Sequence, residues 1–144
     1  AYVHIAIGYM GKANKREHIY AKLKKLGAEF PVICSPHAYV SKRAKISAGT
    51  LVMHGAIINA SATIGENCIV NTMALIEHGA NIGDHSHIST GAKINGGSSI
   101  GSGSFIGSGA VIRDNITIGD NCVVGAGVTV LSDILPGQIY LGSK

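Results

Sequence analysis

The chain carries a branched aliphatic residue at every sixth position over most of its length. The series begins at Val40 and ends at Val130, and its sixteen members are all Ile or Val. The residue two places before each member is nearly always small. The residue after it is often glycine, as at Gly65, Gly83, Gly101, Gly107, Gly119 and Gly125. A period of six fits neither the 3.6-residue repeat of an amphipathic helix nor the alternation of a half-buried strand. It indicates a short strand followed by a corner, repeated many times.

Three such hexads close one triangular coil of about 18 residues, and a lone coil has no partner against which to bury its face. The sequence therefore predicts an all-β solenoid, a left-handed parallel β-helix of hexapeptide repeats with about five coils. Branched side chains fill the interior, small residues let the wall turn, and glycine takes a conformation that branched residues resist. Composition agrees, because apolar residues reach 46% while Trp is absent and glycine numbers 20. No hexad is interrupted, so we expect no long loop between residues 38 and 131.

A different pattern precedes the repeat. Residues 2–8, "YVHIAIG", predict a strand, and residues 15–26 predict a helix capped by Asn14 and stopped by Gly27. Its expected apolar stripe is Ile19, Leu23 and Leu26. A second short strand is expected at residues 30–33. These elements form a partial α/β segment at residues 1–34, followed by the β-helix domain at residues 35–144. The end of such a first strand often carries a ligand, which makes Gly8 a candidate substrate-binding residue.

Charge is unevenly distributed. The first 45 residues hold nine basic and two acidic side chains, a net +7, whereas the remainder carries −3. This basic end would attract the phosphates of a nucleotide or coenzyme. The alternative, which is favoured for most of the lysines, is a solvated helix face. Aromatic side chains do not interleave with the charges, so nucleic acid is not an expected partner.

The expected compartment is the cytoplasm. The sequence shows no secretory leader and no apolar run near the ~20 residues that span a bilayer, so membrane insertion is not expected. Three cysteines cannot all pair, and Cys68 and Cys122 stand in core phase. We expect them to be buried thiols in a reducing compartment.

The segment from 71 to 90 concentrates the polar chemistry. His78 falls at an outward corner, and its equivalents one coil away are Ala60 and Gly96, which leave it exposed. An exposed neutral imidazole suits a general base, although a merely exposed polar residue fits the spacing as well. Glu77 is expected to point elsewhere, as neighbours on a strand do. His87 lies half a coil away in the wall, so we expect one subunit not to bring both histidines together, whereas a threefold assembly would.

A column of small corner residues suggests a place for a cofactor. Its members are 18 residues apart and leave a shallow groove along the helix axis: Thr72, Thr90, Ser108 and Ala126. A thin, extended molecule such as the pantetheine arm of coenzyme A would fit there, although small corners are also common in this repeat. The histidine spacing does not converge on one point, so no metal site is expected.

Four runs of the sequence are informative together: "YVHIAIG", "KREHIYAKLKKLG", "IINASATIGENCIVNTMALIEHGANIGDHSHISTGAKINGG" and "VIRDNITIGDNCVVGAGVTVL". They resemble the NeuD-type sugar acetyltransferases, which include sialic acid O-acetyltransferases and the PglD-type enzymes that N-acetylate nucleotide-linked amino-sugars. The hexads are shared by many acyltransferases, whereas the "NT…IEH…IGD..HIS.GAK" pattern is more specific. The resemblance covers essentially the whole chain.

The resemblance implies an acetyl-CoA-dependent transferase that works as a homotrimer, with active sites between neighbouring β-helices. It implies His78 as the catalytic base and Asn71 as a residue near the sugar. It also implies that His87 contacts the acetyl end of the coenzyme and that Gly96 lies where the backbone approaches it. With the corner groove, the expected coenzyme-binding set is His87, Gly96, Ser108 and Ala126. Transfer would be direct, without a covalent enzyme intermediate.

Three departures from the family pattern bear on function. The acid that usually follows the catalytic histidine is replaced by Gly79. The first strand of the family's nucleotide-binding domain is missing. The sequence ends at "YLGSK", where the family continues with a tail that helps to hold the coenzyme. Two alternatives therefore stay open beside the sugar acetyltransferase. One is an acyltransferase for another small acceptor, and the other is a catalytically silent trimeric scaffold.

Overall fold

The computed structural model describes residues 1–9, 11 and 15–143, so the predicted helix cap at Asn14 lies outside the described residues. Within these described residues, one helix, α1, spans Lys15–Lys25, and eighteen two-residue strands follow it in three parallel sheets. Sheet 1 contains β1 (Ile33–Cys34), β4 (Leu51–Val52), β7 (Ile69–Val70), β10 (His87–Ile88), β13 (Phe105–Ile106), β16 (Val123–Val124) and β18 (Ile139–Tyr140). Sheet 2 contains β2 (Tyr39–Val40), β5 (Ile57–Ile58), β8 (Leu75–Ile76), β11 (Lys93–Ile94), β14 (Val111–Ile112) and β17 (Thr129–Val130). Sheet 3 contains β3 (Lys45–Ile46), β6 (Thr63–Ile64), β9 (Asn81–Ile82), β12 (Ser99–Ile100) and β15 (Thr117–Ile118).

The predicted left-handed β-helix is confirmed, with about six coils rather than five. The chain passes through sheets 1, 2 and 3 in turn, and each strand pairs with the strand one coil later, as Ile58 does with Ile76. The extra coil comes from β1 and β18, which lie outside the uninterrupted hexad series. At the C-terminal end the pairing interval shortens from 18 residues to 16, since Val123 pairs with Ile139.

The repeat builds the core as expected. From Val52 to Val130 the branched members of the series are at most 2% exposed, and the small residues that precede them are buried beside them. The glycines that follow serve a different purpose from the predicted one, since none of those six has a positive φ. A Cβ at Gly101 would lie 2.4 Å from the amide nitrogen of Asp120, so glycine there permits close stacking of coils. The residues with a positive φ lie in the corner two places after these glycines, as Gly103 does after Gly101.

The N-terminal segment lies against the outer face of sheet 1. The predicted strand at residues 2–8 is wrong apart from one parallel bridge between Tyr2 and Glu29. The second strand forms at Ile33–Cys34, later than expected, and pairs with β4. The division between residues 34 and 35 stays a prediction.

Helix α1 matches the predicted range within one residue, and Gly27 follows it with a φ of +81°. Of the predicted stripe, Ile19 and Leu23 are partly buried against the core, whereas Leu26 is exposed. The fully buried residues of the helix are Arg16 and Tyr20. Tyr20 packs with Ile5 and Phe30 in a small second core. No helix in the described part of the chain is long and apolar enough to cross a membrane.

Candidate active site

His78 lies at the corner that joins sheet 2 to sheet 3, directly after β8 and Glu77. Its side chain is 77% exposed. The imidazole lies over Gly96, because a Cβ built on that glycine would be 2.7 Å from Cε1 and 2.9 Å from Nε2 of the ring. The parallel stacking that places residue 96 one coil beyond residue 78 thus provides a flat floor for the imidazole.

Glu77 does not point away from His78, and the expectation that it would is wrong. Its Oε2 lies 3.7 Å from His78 Nδ1 and accepts a hydrogen bond from the His78 backbone N–H at 3.3 Å. The same oxygen accepts a hydrogen bond from Asn59 Nδ2 at 3.0 Å. Residue 77 is the first residue after the strand, where strand alternation no longer dictates the direction of the side chain.

An open cleft of about 530 Å³ surrounds this corner. Besides His78 and Gly96, its lining includes two carboxylates and two side-chain amides: Glu77, Asp114, Asn95 and Asn115. We call this space the His78 cleft. It has an exposed imidazole as a proton acceptor, and carboxylate and amide oxygens that accept hydrogen bonds from a ligand.

A second pocket of about 200 Å³ brings together three other predicted site residues, Gly8, Asn71 and His87. It lies between the N-terminal segment and sheet 1, and Arg16 is also part of its lining. We call it the inner pocket. The structure thus groups both predicted substrate-binding residues with one predicted coenzyme-binding residue.

His87 is only 8% exposed, and both of its ring nitrogens have partners. Nδ1 donates to the backbone carbonyl of Tyr9 at 2.6 Å, and Nε2 accepts from Asn71 Nδ2 at 3.2 Å. This pairing selects a neutral ring protonated at Nδ1. Burial lowers the pKa of His87, the Tyr9 carbonyl opposes that effect, and the positive charge of Arg16 lowers the pKa further.

Ser108 and Ala126 occupy the corner that joins sheet 1 to sheet 2, and both are exposed. A Cβ at the neighbouring Gly109 or Gly127 would meet no atom within 4 Å, so this corner is open along its length. The groove itself stays a prediction, and its residues lie on a different corner from His78 and Gly96. One chain therefore does not bring the expected coenzyme-binding set together.

Tyr9 and Arg16 are parts of the site that sequence reasoning missed. Arg16 Nη1 donates to the carbonyls of Ile5 and Ile7, and its Nε donates to the carbonyl of Asn67 at 3.4 Å. These bonds hold the N-terminal segment over His87. Arg16 is one of many basic residues in its region, and the only local signal was its place on the helix face that also carries Tyr20.

No group of three or more His, Cys, Asp or Glu side chains among the described residues is placed to hold a metal ion.

Known proteins share both the repeat and the fold. The family model for bacterial transferase hexapeptide repeats, six repeats long, matches residues 79–114 and 97–132. No curated protein matches the chain. A mutant of perosamine N-acetyltransferase from Caulobacter crescentus, solved with CoA and GDP-perosamine, superposes with a TM-score of 0.92 at 30% identity over 96% of this chain and 65% of its own. The acetyltransferase domain of PglB from Neisseria gonorrhoeae gives 0.91 at 34% identity over 97% and 66%, respectively.

WeeI from Acinetobacter baumannii gives a TM-score of 0.88 at 27% identity, with 96% of this chain and 66% of that protein covered. The chain thus spans 65–66% of the length of these relatives. The continuous hexad series, the three-sheet solenoid and these matches agree with one another. The chain carries the hexapeptide repeat of bacterial transferases and shares its fold with these relatives.

Proposed function

We propose that this protein is an acetyl-CoA-dependent acetyltransferase whose acceptor is the amino group of a sugar or sugar nucleotide. The observation that carries the proposal is the exposed imidazole of His78 in an open, acid-lined cleft. The relatives support it, because they include an N-acetyltransferase solved with CoA and a nucleotide-linked amino-sugar. Direct acyl transfer is assisted by a base within reach of the acceptor nitrogen, and an imidazole that faces an open cleft can serve as that base.

In the proposed reaction, the acceptor nitrogen attacks the carbonyl carbon of the acetyl thioester. His78 takes a proton from that nitrogen as the new C–N bond forms. The tetrahedral intermediate then collapses with cleavage of the C–S bond, and the CoA thiolate leaves with the proton that His78 returns. Hydrogen-bond donors near the carbonyl oxygen would stabilise the negative charge that develops there.

The charge of the His78 cleft favours an amino group over a carboxylate at the reacting end of the acceptor. Glu77 and Asp114 line it, and no lysine or arginine is among its described lining residues. Carboxylates attract an ammonium group and repel a carboxylate-bearing sugar. An amino-sugar therefore suits this cleft better than a sialic acid does.

The expected coenzyme site fits the residues present but requires more than one copy of the chain. Ser108 and Ala126 would hold the extended arm on their open corner, with His87 nearby in sheet 1 and Gly96 beside His78. Since Gly96 stands on another corner, the complete set would assemble where neighbouring copies meet. Bound there, acetyl-CoA supplies the activated acetyl group.

The outer face of sheet 2 supports a homotrimer. It presents apolar side chains to solvent, with Tyr39 59% and Ile57 41% exposed and Leu75 and Val111 partly so. Tyr39, Ile57 and Leu75 are neighbours in this column, and Lys93 separates them from Val111. Exposed apolar patches mark association sites, and the threefold form of the association follows from the family resemblance. We place the trimer in the cytoplasm, because all three cysteines are free thiols.

Calorimetric titration with acetyl-CoA tests the coenzyme site without knowledge of the acceptor. We expect wild-type protein to bind and Ser108→Trp, which fills the open corner, to bind at least tenfold more weakly. Thr117→Trp, on the exposed face of sheet 3, is the matched control and should bind normally. Thiol release with a panel of amino-sugars then tests transfer, with His78→Ala expected to be inactive.

Gly79 favours one competing function, the silent scaffold, since it replaces the acid expected next to the catalytic histidine. No binding at millimolar acetyl-CoA would reject the enzyme and leave that scaffold. Binding without transfer to any amino-sugar would favour an acyltransferase for another small acceptor.

A further inference from the structure

The acidic side chain next to His78 is provided by the residue before it rather than the residue after it. We propose that Glu77, held by Asn59, is a positioning residue that orients His78 and selects its reactive tautomer. This inference rests on the proposed function of His78 as the general base, but one of its tests does not depend on activity.

Three contacts converge on one oxygen. Glu77 Oε2 accepts hydrogen bonds from Asn59 Nδ2 at 3.0 Å and from the His78 backbone N–H at 3.3 Å. It also lies 3.7 Å from His78 Nδ1. Two donors on different coils thus fix the carboxylate beside the ring, near Nδ1.

The stacking of coils explains why Asn59 is available. Residue 59 precedes residue 77 by one coil, and the paired strands Ile57–Ile58 and Leu75–Ile76 hold the two corners in register. An amide at position 59 donates to the carboxylate without neutralising its charge. The negative charge of Glu77 therefore remains available to the imidazole.

A carboxylate beside Nδ1 has two consequences for a general base. It favours the tautomer that carries its proton on Nδ1, which leaves the lone pair of Nε2 free for the acceptor amine. It also stabilises the imidazolium that forms when Nε2 takes the proton. The 3.7 Å separation is longer than a hydrogen bond, and such contacts commonly shorten when substrate binds.

Gly79 cannot provide this function because it has no side chain, and its φ of +66° is one that most L-residues resist. The corner therefore obtains its acid from residue 77, which lies just beyond the strand. This arrangement resolves the main departure of the chain from the family pattern.

The first test uses nitrogen NMR of His78 in the free protein, with Glu77→Gln and Asn59→Ala as variants. We expect the neutral ring to be mainly protonated at Nδ1 in wild type and to shift toward Nε2 protonation in Glu77→Gln. Asn59→Ala should shift the ring in the same direction by a smaller amount. Asp120→Asn is the matched control, because Asp120 also accepts a backbone N–H, at 2.8 Å from Ser102, on a corner remote from His78.

The second test is kinetic. Glu77→Gln should lower kcat by about tenfold or more while the KM for acetyl-CoA stays within about threefold, as expected when a partner of the base is removed. A tautomer ratio equal in wild type and Glu77→Gln would overturn the proposal, and so would a shifted ratio with unchanged kcat. If wild type transfers acetyl to no acceptor, the proposed function fails, whereas the NMR comparison still decides whether Glu77 positions His78.

Discussion

Replacing Gly96 with alanine should lower the catalytic activity and leave the free energy of unfolding nearly unchanged. The added methyl carbon would lie 2.7 Å from Cε1, 2.9 Å from Nε2 and 3.3 Å from Nδ1 of His78. Non-bonded carbons normally approach to about 3.5–4.0 Å, so the ring must move by roughly 1 Å. Because the His78 side chain is 77% exposed, it can swing into solvent without disturbing the core.

We expect the substitution to lower the rate of the catalysed reaction. A misplacement of about 1 Å can reduce a rate by about 100-fold, which corresponds to about 2.7 kcal/mol of activation free energy. Stability should change by less than about 1 kcal/mol, since Gly96 does not have a left-handed φ that alanine would strain. Thiol release at saturating acetyl-CoA measures the first quantity, and chemical denaturation measures the second.

Gly137→Ala provides the opposite control. Its Cβ would meet nothing within 4 Å, but its φ of +76° makes alanine unfavourable by about 1 kcal/mol. We expect that variant to lose stability and keep its activity. A Gly96→Ala enzyme with kcat within about threefold of wild type would refute the assigned ring position, because a 1 Å displacement predicts a far larger loss.

Three further predictions concern the rest of the molecule. Met73 has a φ of +59° and is 64% exposed, so Met73→Asn should raise the unfolding free energy by about 0.5–1 kcal/mol in denaturant titrations. Burial lowers the pKa of His87 below its ordinary 6.5, so below about pH 6.5 the unfolded chain takes up the proton first and wild-type stability falls. His87→Gln should flatten that fall, as measured by denaturation from pH 8 down to about 5. Ile94 is fully buried, so Ile94→Ala should cost about 4 kcal/mol in the same assay, and a cost under about 1 kcal/mol would contradict its place in the core.

The β-helix could be predicted because its signal is periodic and long. Ile58, Ile76 and Ile94 occupy equivalent positions in successive coils, and each is fully buried. The ends of the solenoid could not be predicted in the same way. Strand β18 pairs at an interval of 16 residues, so a search at a fixed interval of six loses it.

The N-terminal segment was predicted less well because its partners are distant in sequence. From local periodicity, Leu26 was predicted to be buried, and Arg16 was counted with the exposed basic residues. In the structure Arg16 is buried because it donates to carbonyls of Ile5, Ile7 and Asn67. Backbone carbonyls are usually paired with the backbone N–H groups of a neighbouring strand, and no local sequence rule predicts that an arginine side chain will donate to them instead.

The candidate site illustrates where sequence spacing is informative. In a parallel solenoid, the surroundings of a corner residue are set chiefly by the residues one coil before and after it. Gly96, one coil after His78, forms the floor under the imidazole, and Asn59, one coil before Glu77, holds the carboxylate. His87 differs, because Tyr9 covers it from outside the repeat. The coil interval therefore predicts the environment of the proposed base, whereas the inner pocket depends on how the N-terminal segment folds onto sheet 1.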